Sequence, residues 1–290
     1  MVDVGACRLC GGVRWTLRFR EGIHEVRRCE DCGLVWVSPR RDEAGLQALY
    51  SGEDYWRSDS PKECGYADYR GDEERYLETF RLRLDRALRD GPRGGRALDV
   101  GCAAGYCLRV LAERGFAVKG VELSPVIARE AQAHLGQDAV HVGTLETSPH
   151  APGSFDLITL WDVVEHVIDP HALLRRAREL LAPGGLLVLE TQDVESPFAR
   201  ILRRRWHHYK HSEHLYHFAP ATIRRLLTDS GFRVEALTHR YAGKHVSGAF
   251  VAERSGRVHP ALPRVLGPLG RLGGVYVNVF DEMLLLARAA

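Results

Sequence analysis

A chain of 290 residues with 45% hydrophobic and 27% charged residues can bury a full core and is too apolar to remain disordered. Forty Lys and Arg against 38 Asp and Glu exclude a chain-wide basic excess of the kind that drives nucleic-acid binding, although local patches stay open. No apolar run approaches the roughly 20 residues of a membrane-spanning helix, and MVDVGACRLCGG has no basic start followed by an apolar core, so no membrane span and a cytoplasmic location are expected.

Residues 1–37 read as two short β-hairpins, with Gly11, Gly12 and Gly33 as turn residues and an alternating run from Val13 to Phe19. Within them stand Cys7 and Cys10, then 18 residues, then Cys29 and Cys32. Two CxxC pairs among seven cysteines point to metal and not to disulfides in a reducing compartment. Four soft thiolates complete a closed tetrahedral shell, so the expectation is a structural zinc ribbon that stabilises the module without doing chemistry. Such ribbons also grip nucleic acid; here Arg14, Arg18, Arg20, Arg27 and Arg28 are interspersed with Glu21, Glu25, Glu30 and Asp31, which favours a docking or capping role.

Residues 38–95 read as a helical connector, interrupted by the polar stretch SGEDYWRSDSPKECG and continued by Tyr76, Phe80, Leu84 and Leu88 at four-residue spacing. After the breaker DGPRGG, residues 96–290 alternate strand and helix signals: ALDVG, a helix from about Tyr106 to Arg114, AVKGVEL, a helix from about Pro125 to His134, AVHVG, FDLITLW, a helix from about Pro170 to Leu181, and GLLVLET. Parallel strands need crossover helices, so this series predicts an α/β fold with a doubly wound, mostly parallel sheet. A His-rich loop over 192–220, a helix from about Ala221 to Ser230, the strand FRVEALTHR, an irregular stretch from Tyr241 to Gly274 and VYVNVFDEMLLLARA, read as a last strand or as a strand preceded by a helix, complete the chain.

The segment ALDVGCAAG ends a buried strand on Asp99 and turns through Gly101, Cys102, Ala103 and Gly105 into a helix N-terminus. A dinucleotide would put its pyrophosphate there on GxGxxG spacing; an acid two residues before the first glycine instead suits the ammonium of a methionine moiety. Here the sequence resembles class I S-adenosylmethionine-dependent methyltransferases, which implies a Rossmann-like fold and S-adenosylmethionine as cofactor. The resemblance places Glu122, followed by Leu123, at the ribose hydroxyls, Thr144 and Leu145 at the adenine (many relatives have Asp in place of Thr144), and Leu160 and Trp161 beside the cofactor. Cys102 is read as a small packing residue, and Cys64 and Cys107 are unassigned.

Asp162, Glu165 and His166 in WDVVEHV follow the fourth core strand, at spacings that suggest one shared face, and WHHYKHSEHLYHF supplies His214 from the loop above the same edge. Methyl transfer to oxygen requires the acceptor to lose a proton, for which a neutral His is suited; His166 is the first candidate and His214 the second. The segment also resembles ubiquinone-pathway O-methyltransferases and small-RNA 3′-terminal methyltransferases, whose Glu, Glu and His hold a divalent metal; Asp162, Glu165 and His166 match by position, with His214 as a distal ligand and Asp in place of the first Glu. A base, a second divalent metal and a structural role all stay open. The ribbon, VVEHVIDP and EHLYHF together resemble bacterial biosynthetic methyltransferases, implying a small-molecule or carrier-linked acceptor. The alternatives are an RNA or protein methyltransferase gripping its polymer with the ribbon, and a non-catalytic cofactor-binding module. Tyr55, Trp56, Trp206 and Tyr209 are candidates for an acceptor pocket or for the core, and Arg203, Arg204 and Arg205 for an anion site or a solvated face. Neither the oligomeric state nor the acceptor is legible.

Overall fold

The computed structural model describes residues 1–57, 64–66, 68–256, 261–268 and 274–290; residues 58–63 of the polar connector stretch, and parts of the irregular stretch before Gly274, lie outside the described residues. The N-terminal module has strands β1 (Trp15–Glu21), β2 (His24–Cys29) and β3 (Val35–Ser38). Two hairpins form and share a strand, β1 against β2 and β2 against β3, both antiparallel. The Cys7–Gly12 segment ahead of them is a tight turn, closed by Gly11 N donating to the Cys7 carbonyl at 2.8 Å.

The connector folds as α1 (Glu43–Ser51), α2 (Glu53–Trp56) and α3 (Glu73–Ala87). There follow β4 (Gly95–Val100), α4 (Tyr106–Glu113), β5 (Phe116–Glu122), α5 (Pro125–Leu135), β6 (Val140–Val142), β7 (Phe155–Trp161), α6 (Pro170–Leu180), β8 (Leu181–Gln192) and α7 (Pro197–Leu202). The chain ends with β9 (Tyr216–His217), α8 (Pro220–Asp229), β10 (Phe232–Thr238), β11 (Lys244–Val246), two short helices (Gly248–Ser255 and Leu262–Leu266), β12 (Val275–Val277) and β13 (Glu282–Ala289).

The main sheet has seven strands in the order β10-β13-β8-β7-β4-β5-β6. Neighbours from β8 to β6 are parallel, and β13 is antiparallel to both β8 and β10. This is the doubly wound, mostly parallel sheet that the alternating pattern predicts. Strands covered on both faces must be apolar throughout; Leu157, Ile158 and Leu160 of β7 are accordingly fully buried. The helices start where their sequences cap them. The Asp169 carboxylate accepts from Ala172 N ahead of α6, whose first residue is Pro170, and Leu173, Leu174, Ala177 and Leu180 then face the core.

Two features depart from the sequence pattern. VYVNVFDEMLLLARA is split: β12 pairs with β11, and after a bend at Phe280, which has φ of 59°, β13 inserts between β8 and β10. The ribbon sheet is completed by β9, drawn from the His-rich loop, with Val35 opposite His217 and Trp36 opposite Tyr216. The module expected over 1–37 therefore shares a sheet with residues 216–217.

Arg83 fastens α3 to the main sheet. It sits on the buried stripe of that helix with Leu84 and Ala87, forms a two-pronged ion pair with fully buried Glu190 on β8, and donates to the Ala242 carbonyl at 2.8 Å. Removing one partner of such a pair leaves an uncompensated buried charge. Arg83→Met is expected to lower stability by about 3–5 kcal/mol, read from the urea midpoint; a loss within experimental error would show that the pair does not hold the helix.

Candidate functional site

β4, β5 and β7 end side by side, with Val100 in register with both Val121 and Leu160. The turn after β4 runs through Gly101 and Gly105 at φ of 73° and 80°. A side chain at Gly101 would also meet Val163 Cγ2 at 2.7 Å, so two close-packed turns require that glycine. Gly101 N and Cys102 N donate to the Val121 carbonyl, Ala103 N to Glu122 Oε2 and Gly105 N to the Cys102 carbonyl. With these amides committed inside the protein, the turn lacks the open row of donors that a pyrophosphate needs, and the dinucleotide alternative loses its anchor.

Two carboxylates are buried at this edge. Asp99 accepts from the Thr159 hydroxyl at 2.6 Å, and burial pushes its carboxyl up to about 7. Glu122 accepts from Ser124 N at 2.8 Å as well as from Ala103 N, and burial raises it too. Acids this deeply desolvated call for a cationic or multiply donating partner. An ammonium at Asp99 and a ribose diol at Glu122 fit that need. Leu123 is half-buried above this edge, and Leu145 and Leu160 are buried in the main core. Trp161 donates its indole N–H to Cys107 Sγ at 3.1 Å beneath Arg83. Thr144 is half-buried and exchanges hydrogen bonds with Thr147. The Cys102 thiol lies beneath Gly120 in the packing between β5 and α4, as a small core residue would.

Over this edge lies an aromatic cover. Trp56 is stacked on Tyr66 with centroids 5.9 Å apart and donates to Ser124 Oγ at 3.1 Å, while Tyr69 and Tyr76 stack on Tyr106. Tyr55 and Trp56 thus belong to the cover. Trp206 and Tyr209 pack between the ribbon and the core, with Trp206 donating to Asp281 at 2.7 Å and Tyr209 meeting Phe19 edge-on.

The turn after β7 brings Glu165, His166 and His214 together, with their ligating atoms all within 4.8 Å of one another. Glu165 is fully buried; Oε2 accepts from the Thr191 hydroxyl at 3.0 Å, and Oε1 has no hydrogen-bond partner. Burial and the neighbouring Asp162 push its carboxyl well up. His166 Nδ1 stands 2.9 Å from the Tyr50 hydroxyl, and its ring meets that of His214 at 4.6 Å, nearly perpendicular. Burial lowers both imidazoles, His214 further because His166, His208, Lys210 and His217 surround it, so both are neutral near pH 7. Asp162 does not join them. Its φ of 53° turns it toward Lys244, 3.2 Å away, in a separate group with Glu190 and Glu282. The single helical face suggested by the spacing is thereby broken.

Residues 69–237, more than half of the chain, match a family model described as a methyltransferase domain. The chain belongs to this methyltransferase family. The methyltransferase is 32% identical over 175 residues to the ubiquinone biosynthesis O-methyltransferase of Xanthomonas euvesicatoria, covering 55% of this chain and 69% of that one. It is 30% identical over 197 residues to its counterpart in Xanthomonas axonopodis, covering 62% and 76%. Among solved structures, magnesium protoporphyrin IX methyltransferase from Synechocystis with bound SAH superposes with a TM-score of 0.55 at 17% identity, covering 86% of this chain and all of that one. A protein from Pyrococcus horikoshii gives 0.53 at 16% identity, covering 82% and 100%. The methyltransferase is S-adenosylmethionine-dependent, and no described helix is long and apolar enough to cross a membrane.

The four ribbon cysteines converge, with Sγ atoms of Cys7 and Cys32, and of Cys10 and Cys29, 3.5 Å apart and all four within 4.8 Å. A tetrahedron of bonds of about 2.3 Å has edges of about 3.8 Å, so the set fits a zinc ion. Arg14, Arg20 and Arg27 of the ribbon are paired with Asp31, Glu25 and Asp3. Arg203, Arg204 and Arg205 are exposed.

Tyr50, Ser124, Thr191 and Lys244 reach the site without having been singled out from the sequence. Arg83 alone carried a signal, a charge on the apolar stripe of a helix. In the cofactor-free methyltransferase, the raised carboxyl of Asp99 makes wild-type stability fall as pH rises from 3.8 to about 7 and stay lower above. Asp99→Asn is therefore expected to match wild type near pH 4 and to gain on the order of 1–4 kcal/mol above pH 7, while S-adenosylhomocysteine affinity falls. Thermal melts across pH and calorimetric titration check both halves.

Proposed function

We propose that the enzyme transfers the methyl group of S-adenosylmethionine to a hydroxyl oxygen of a small or carrier-linked biosynthetic acceptor, and that Glu165, His166 and His214 receive that hydroxyl. The observation that carries this reading is the convergence of a buried carboxylate oxygen lacking a partner with two neutral imidazoles, one turn away from the Gly101 bend. The O-methyltransferase names of the Xanthomonas relatives support oxygen as the acceptor.

As the acceptor oxygen forms its bond to the methyl carbon, the carbon–sulfur bond breaks, its electron pair returns to sulfur, and the hydroxyl proton must leave. His166 is placed to take that proton: Tyr50 engages Nδ1, which orients the ring. Asp99 and Glu122 hold the donor's ammonium and ribose, and the aromatic cover of Tyr55, Trp56 and Tyr69 excludes water. Most of the acceleration comes from alignment, since the sulfonium is already an activated donor. The Glu165, His166 and His214 set also fits a divalent cation, which when bound would lower the pKa of the acceptor hydroxyl.

The ribbon holds structural zinc through Cys7, Cys10, Cys29 and Cys32, and its part in turnover is to fix His214. Val37 N donates to the Leu215 carbonyl and Leu215 N to the Glu165 carbonyl, so the ribbon strand, the His214 segment and the active-site turn are joined in series.

With labelled donor and a panel of catechols and sugar hydroxyls, His166→Ala and His214→Ala are each expected to lose about 10²–10⁴-fold in kcat while binding S-adenosylhomocysteine as wild type does. Full turnover in both variants would remove this assignment. Stripping zinc with a chelator should abolish turnover and leave cofactor affinity nearly unchanged; turnover that survives complete zinc loss would detach the ribbon from catalysis.

A further inference from the structure

Beside the methyl-transfer cluster lies a second group that none of these roles uses. His207 Nε2 and His208 Nε2 stand 3.6 and 3.7 Å from the same oxygen, Asp281 Oδ2, and His208 Nε2 is 3.4 Å from Glu282 Oε1. Ligating atoms of His207, His208 and Asp281 all fall within 4.8 Å of one another. Around a tetrahedral ion with bonds of about 2.0–2.2 Å, ligand atoms sit about 3.3–3.6 Å apart, so these separations are close to a coordination shell.

Two independent features point to an ion. The His208 ring is 7% exposed, and its Nε2, aimed at the two acids, makes no hydrogen bond. Acidic side chains also outnumber Lys and Arg around it. Asp162, Glu190, Asp281 and Glu282 form one continuous patch, against which Arg83 and Lys244 are the only Lys or Arg partners among the described residues. Four carboxylates face two permanent cations there, a local surplus of acid that a bound cation can meet. Asp281 is further oriented by Trp206, whose indole N–H donates to Oδ2, the kind of supporting bond that fixes a metal-ligating carboxylate.

We propose that His207, His208 and Asp281 bind a divalent transition-metal ion of the zinc class, with Glu282 at the edge of the shell. The ion adds positive charge to this acidic patch and pins the His-rich loop to the start of β13. The loop that carries His214 is then fixed at two places, by ribbon pairing at β9 and by metal at His207 and His208.

The test uses the full chain with ribbon zinc retained and His166→Gln introduced to disable the neighbouring cluster. Titration with Co²⁺ is expected to show one further equivalent bound, with a visible ligand-field band. Adding His208→Gln, or His207→Gln at the half-buried edge where folding is least at risk, should weaken that binding by more than about 100-fold, the upper end for losing a supporting partner outside the shell. Retained zinc and unchanged circular dichroism certify the fold. No Co²⁺ uptake in the His166→Gln protein, uptake that neither second substitution weakens, or an imidazolium at His208 by ¹⁵N NMR at neutral pH with Co²⁺ or Zn²⁺ present would each overturn the proposal.

Discussion

The structure depends on one short piece of backbone clasped from both sides. Leu215 donates to the Glu165 carbonyl and accepts from Val37, and the next two residues pair with β3 of the ribbon. A long loop closing over a sheet edge has many conformations to lose. Here the loss is met by a ready-made edge: β3 lacks a partner on that side, and its unpaired amides and carbonyls recruit the loop as a fourth strand. The ribbon thus forms the outer wall of the proposed active site.

The same edge concentrates groups that are unfavourable to bury. Asp99, Glu122 and Glu165 are all deeply buried and all held toward their neutral forms, and His166 and His214 are held neutral for the same reason. A protein selected for stability alone would place apolar residues there. The arrangement is consistent with a donor that brings its own positive charge and hydroxyls, and with an acceptor that must lose a proton. Desolvation strengthens each of those contacts once the ligands are in place. The charge network of Arg83 and Lys244 with Asp162, Glu190 and Glu282 plays a different part, locking the connector helix and β11 onto the carboxyl end of β8 and the amino end of β13.

Much of the fold was legible because its signals are local. The alternation of apolar strands and amphipathic helices requires nothing beyond neighbouring residues, and helices expected from about Tyr106, Pro125 and Pro170 begin on those residues. The β12–β13 break was not legible, because VYVNVFDEMLLLARA is apolar on both sides of a bend set by Asn278 and Phe280. Asp162 misled for a related reason. A spacing argument assumes helical backbone, and a single positive φ redirects the side chain to Lys244.

The amino-acid sequence by itself determined the doubly wound class, the glycine turn after Asp99, the two cysteine pairs and the candidacy of Glu165, His166 and His214, since each is written in residue type and short-range spacing. Only the tertiary structure decided which of those groups meet. Sequence separations of 48 residues between His166 and His214, or 116 between Tyr50 and His166, are closed by strand order and loop docking. Such contacts arise from burial shared across the whole chain, and no local pattern encodes them.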